Sequence, residues 1–71
     1  MKYLIVIEPT STGDSAHSPD VPGCVSTGAT RTEVERNMHE AIEFHLEGLR
    51  QEGYETPQPS TSSAYVEVKA S

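Results

Sequence analysis

Four side chains carry the chemistry of nucleophiles or metal ligands: Cys24, His17, His39 and His45. Cys24 follows the Pro22-Gly23 pair and could act as a thiolate nucleophile with His17 as its base. A small buried apolar residue at a strand start is the competing assignment, and the strong tendency of cysteine to be buried favours it. The three histidines and Cys24 do not form a recognisable metal-ligand spacing, and a single cysteine excludes an internal disulfide or a multi-cysteine zinc site. Two-metal hydrolysis needs several converging carboxylates, yet the first apolar run offers Ile5, Val6 and Ile7 with only Glu8 at its end. Gly23 and Gly28 lack the lysine and the spacing of a phosphate loop. The residues therefore predict no catalytic, cofactor or metal site.

Charge is the stronger signal. Eleven Asp and Glu stand against five Lys and Arg, a net charge of -6 in 71 residues, with an isoelectric point near 4.8. A nucleic-acid surface needs cations to displace counterions from phosphates, so direct DNA binding is not expected, and any charged partner should be basic. Glu33, Glu40, Glu43 and Glu47 fall on one side of a single long amphipathic segment, Thr30 to Gly53.

That segment positions everything else. Val34, Met38, Ala41, Ile42, His45, Leu46 and Leu49 share one sector of a helical wheel, the stripe a helix turns to a core. His45, inside that stripe, reads as a core histidine rather than a ligand. Thr30 and Glu33 have the spacing of a capping box, Gly53 suits the left-handed residue after a helix, and Pro57 and Pro59 prevent a restart. Before the helix, Lys2–Glu8 is a β-branched and aromatic run ended by Pro9, read as strand 1. Thr10–Asp14 is a turn cluster, Ser15–Ser18 a return strand, and Cys24–Ala29 a short third strand. Between them, Pro19, Asp20, Pro22, Gly23 and Gly28 impose a tight connection, with Pro22-Gly23 at the centre of a type II turn. After the helix, Ala64–Lys69 alternates strictly and predicts a fourth strand. A right-handed crossover would lay it parallel to strand 1, giving an α+β fold with sheet order 3-2-1-4 and the helix on one face.

Only thirteen residues are Leu, Ile, Val or Phe, a small core for one domain spanning 1–71. Strand 1 is apolar on both faces, Tyr3, Ile5 and Ile7 on one and Leu4 and Val6 on the other, and one helix covers only one face. The chain is thus expected to self-associate as a dimer or larger, with Tyr3, Leu4, Val6, Phe44 and Tyr65 as interface candidates. No run is long enough to span a bilayer and no signal sequence is evident, so a soluble, cytoplasmic protein is expected.

The strand, hairpin, Pro19-Asp20-Val21-Pro22-Gly23-Cys24 element closed by Gly28, Thr30–Glu33 helix start, Ala41-Ile42-Glu43, Gly53, Pro57 and Pro59-Ser60 together resemble the HicB family, in its short N-terminal-domain form. The resemblance covers essentially the whole chain. It implies a partial ribonuclease H-like fold, an oligomer, and an antitoxin that binds and blocks a small basic ribonuclease toxin of the HicA type; Glu40, Glu43 and Glu47 are then the candidate toxin contacts. Members that repress their own operon carry a DNA-binding domain after the sheet, whereas this sequence stops at Ser71. Asp14 and His17 also stand where members often have aromatics. A stand-alone structural or regulatory homo-oligomer without a toxin is the alternative expectation.

Overall fold

The computed structural model describes residues 1–70 and contains, in order, β1 (Val6–Thr10), β2 (Gly13–His17), β3 (Val25–Gly28) and α1 (Arg31–Gln51). The strands form one antiparallel meander in the order β1-β2-β3, with Val6 opposite His17 and Ala16 opposite Ser26. Alternation puts Ile7, Ala16 and Ser26 on the face toward α1 and Val6, His17 and Val25 on the outer face. The helix packs across β3 and β2. Its stripe of Val34, Met38, Ile42 and Leu46 is buried and joins Ala16, Val21 and Cys24 in the core. Asn37 Nδ2 donates to the Thr27 carbonyl at 2.8 Å, pinning the helix to β3.

The helix ends follow local chemistry. The Thr30 hydroxyl accepts from the Glu33 amide at 3.1 Å, one half of the capping box. At the far end Gly53 has φ +78, its amide donates to Arg50 O and the Tyr54 amide to Leu49 O, the paired bonds of a Schellman motif. His45 lies half-buried at the margin of the stripe rather than inside the core.

Two expectations for the strands are corrected. Strand 1 runs over Val6–Thr10, not Lys2–Glu8, because its length is set by its partner: β2 stops at His17, and beyond it the Ser18 hydroxyl, not a ladder amide, bonds Leu4 O at 2.9 Å. Pro9 sits inside the strand, opposite Asp14, since an edge strand does not need every N–H. The fourth strand and the 3-2-1-4 order are absent among the described residues: Ala64–Lys69 is exposed throughout and pairs with no strand. The face of that segment meant for burial has nothing above it, because α1 stands over β3 and β2 rather than over the β1 edge; Val66 and Val68 remain 81% and 77% exposed. The radius of gyration, 14.3 Å, exceeds the roughly 11 Å of a compact chain of this length, as an extended tail requires.

The Pro22-Gly23 turn forms as expected. The Cys24 amide donates to Val21 O at 3.1 Å and Gly23 has φ +87. A Cβ at Gly23 would touch nothing within 4 Å, so a substitution there is penalised by backbone conformation alone. Gly23→Val should destabilise by about 1 to 3 kcal/mol and Gly23→Asn by less, because asparagine tolerates positive φ. Thermal melts of the two variants check this; equal midpoints would contradict it.

Candidate partner-binding groove

The residues with nucleophilic or ligand chemistry are kept apart by the sheet. Cys24 is buried beneath α1, its Sγ donating to Ala41 O at 3.8 Å, and burial pushes its thiol above the usual range, so the neutral thiol prevails at pH 7. His17 points from the outer face beside Val25, away from it, and His39 is exposed on α1. Among the described residues no three His, Cys, Asp or Glu side chains converge as a metal site.

What the fold does assemble is a groove. Because α1 covers β3 and β2, a channel remains between the helix and the N-terminal segment, with a volume of about 780 Å³. Met38, Ile42 and Leu46 form its floor, Tyr3 and Ile5 its far wall, and Phe44, 84% exposed, its lip. Tyr3 is held in place by its hydroxyl, which donates to the Pro57 carbonyl. Glu35, Glu43 and Glu47 lie along the rim with Arg50 and His39. Their ion pairs are exposed: Arg31 to Glu35 at 3.0 Å, His39 Nε2 to Glu43 at 3.2 Å, Arg50 to Glu47 at 3.2 Å. Pairs of this kind contribute little, so the carboxylates remain available to another cation.

The expected interface residues are therefore divided. Tyr3 and Phe44 meet in the groove with Glu43 and Glu47, whereas Glu40 is exposed on the helix outside it. Leu4 and Val6 lie on the opposite side, where a smaller cleft of about 290 Å³ brings β1 against Ser63, Ala64 and Tyr65. Of the connection residues, Pro19 is exposed, Pro22 and Gly23 make the turn described above, and Gly28 lies directly under the first turn of α1.

Asp20 has a role that local sequence reading does not reach. Its carboxylate accepts four hydrogen bonds from the chain after the helix: Ser60 N at 3.0 Å, Ser60 Oγ at 3.2 Å, Thr61 N at 2.9 Å and Thr61 Oγ1 at 2.7 Å. These bonds, chiefly those from the Thr61 amide and hydroxyl, hold the Asp20 carboxyl below the usual aspartate range. The clamp is fully formed above the ordinary aspartate range and is lost as pH falls through the lowered folded value. We expect the Ser60 and Thr61 amide resonances to titrate together below the usual aspartate range and to lose that titration in Asp20→Asn. Resonances that do not move between pH 6 and pH 2 would contradict the clamp.

A β-meander beneath one helix, with an acid-rimmed groove beside that helix, defines a small α+β module. The family model for the HicB_like antitoxin of bacterial toxin-antitoxin systems matches residues 3–70, and the chain belongs to that family. It is 41% identical over 66 residues to an uncharacterized 14.9 kDa protein in the rep-hol intergenic region of Haemophilus phage HP1, covering 93% of this chain and 50% of the phage protein. It is also 30% identical over 67 residues to the UPF0150 protein Ta0767 of Thermoplasma acidophilum, covering 93% of this chain and 97% of that one. The chain thus spans half the length of the phage relative and nearly all of the archaeal one. Among solved structures, a chain of a HicA3 and HicB3 toxin-antitoxin complex superposes with a TM-score of 0.71 at 35% identity, covering 84% of this chain and 70% of that one. No helix among the described residues is long and apolar enough to cross a membrane.

Proposed function

We propose that this protein is a non-catalytic antitoxin module that binds a small basic ribonuclease toxin and occludes its RNA site. The observation that carries the reading is the likeness, at 35% identity over 84% of the chain, to a chain of a toxin-antitoxin complex. The net charge of -6 agrees with it, since an acidic surface speeds encounter with a basic partner while the buried contact sets the lifetime. Co-expression with a small basic ribonuclease of the HicA type tests it: growth arrest by that toxin should be relieved by the wild-type chain. Persistent arrest, with both proteins present and folded, would overturn the reading.

The module acts as a homo-oligomer in this proposal, and does so in the cytoplasm without direct DNA contact. Support for self-association comes from the outer face, where Val6, His17 and Val25 form a row that no helix covers, and from Tyr65, whose ring lies free in solvent beside Leu4 and Val6. Sedimentation equilibrium at low micromolar concentration should give a dimer or larger, with a melting temperature that rises with protein concentration. A folded monomer with a concentration-independent melt would contradict it.

A further inference from the structure

Resting on the antitoxin reading, we propose that the groove beside α1 is the surface the basic partner occupies, and that it receives an amphipathic helix whose apolar stripe is flanked by lysine or arginine. The floor and wall are apolar, formed by Met38, Ile42 and Leu46 against Tyr3 and Ile5, and Phe44 stands at the edge with nothing covering it. An apolar channel rimmed by charge is the arrangement that takes an amphipathic helix.

Shape supports a helix as the occupant. Neighbouring helices pack about 8 to 10 Å apart, close to two strand spacings of about 4.8 Å. A helix laid alongside α1 would therefore stand over the N-terminal segment and the β1 edge, the part of the sheet that α1 leaves open. The rim runs from Glu35 to Arg50 along α1, a length of about 22 Å at 1.5 Å per residue, enough for roughly four helical turns.

Charge decides between a second copy and a basic partner. Three rim carboxylates, Glu35, Glu43 and Glu47, stand against two arginines, Arg50 on the rim and the Arg31 that pairs with Glu35, with His39 adding charge only when protonated. A second copy would bring its own net charge of -6 and an α1 bearing the same glutamates, setting like charges against each other across a narrow channel. A basic helix brings the opposite sign. The glutamates then guide and orient it while Phe44, Tyr3 and Ile5 bury its apolar stripe.

The test uses the full chain, isotope-labelled, and two synthetic peptides of about 16 residues: a leucine/lysine sequence with helical amphipathic spacing, and a scramble of the same composition. The amphipathic peptide should shift the resonances of Ile5, Ile42 and Phe44 and bind more tightly than the scramble. Phe44→Ser, at an exposed position and so without effect on folding, should weaken it about tenfold. The double variant Glu43→Lys/Glu47→Lys should weaken it further and flatten its salt dependence. Equal binding of both peptides, shifts centred on Val6 and Val25, or wild-type affinity in Phe44→Ser would overturn the proposal. So would self-association that sedimentation shows to be lost in Phe44→Ser, because the groove would then belong to a second copy. The growth assay separates the two levels: if Phe44→Ser relieves arrest as well as wild type, the groove assignment falls and the antitoxin reading stands. If wild type fails to relieve arrest while the peptide maps to the groove, the antitoxin reading falls and the docking surface stands.

Discussion

Gly28→Ala should cost the fold about 2 to 4 kcal/mol. A Cβ at Gly28 would lie 2.6 Å from Val34 N, 3.0 Å from Val34 Cα and 3.1 Å from Glu33 C. All three are backbone atoms in the first turn of α1, so no side-chain rotation relieves the clash. Either β3 bends away or the start of the helix lifts from the sheet, and lifting it would strain the Asn37 bond to Thr27 and expose Val34, which is fully buried. A chain of this length holds roughly 4 to 11 kcal/mol in total, so the loss is a large fraction of it. Gly48→Ala is the internal control: position 48 is on the same helix, a Cβ there meets nothing within 4 Å, and alanine should stabilise by about 0.5 to 1 kcal/mol. Urea unfolding of the two variants should therefore move in opposite directions. Equal midpoints, or a Gly28→Ala midpoint like wild type, would show that the helix does not rest on β3 at this distance.

Met38→Ala should destabilise by about 2 to 5 kcal/mol. Met38 is fully buried at the middle of the helical stripe, between Val34 and Ile42, and also underlies the groove. Truncation removes its transfer energy and leaves a void that the surrounding core, only six other buried hydrophobic residues among those described, has little material to fill. Met38→Leu, similar in volume, should cost less than about 1.5 kcal/mol. The comparison of the two midpoints isolates the cavity from any loss of thioether chemistry. An alanine variant within about 0.5 kcal/mol of the leucine one would mean that the helix floor collapses freely, and the groove above it could not then be a preformed surface.

The helix was legible because its signals are local. Thr30, the stripe spacing and Gly53 each act within one or two turns, and each forms in the structure within a residue of its expected place. Pro22-Gly23 was readable for the same reason. Strand 1 was misplaced because its register depends on where β2 ends, which is decided by the Ser18–Asp20 bend and not by the residues of strand 1. Ala64–Lys69 misled because alternation describes a chain ready to pair, while pairing needs an edge and a cover, and α1 supplies no cover there. Asp20 was seen only as a turn residue; its partners lie 40 and 41 positions on, and no periodicity marks an acceptor for so distant a donor. The surplus of apolar faces over the one helix able to cover them read in sequence as a self-association surface; that Tyr3 and Ile5 line a groove with α1 follows from where the helix settles.

Pro9 has a consequence for how these molecules meet in concentrated solution. An uncovered edge strand is a template on which other chains nucleate cross-β stacks. The half of β1 nearest the hairpin presents Glu8, Pro9 and Thr10, all exposed, and there a missing amide and a fixed negative charge act as gatekeepers against runaway stacking. The apolar end, Val6 and Ile7 with the preceding Leu4 and Ile5, has no such guard, and Ser63–Tyr65 pass it across an open cleft. The Asp20 bonds to Ser60 and Thr61 therefore fix where the chain after the helix passes this unguarded end of the edge.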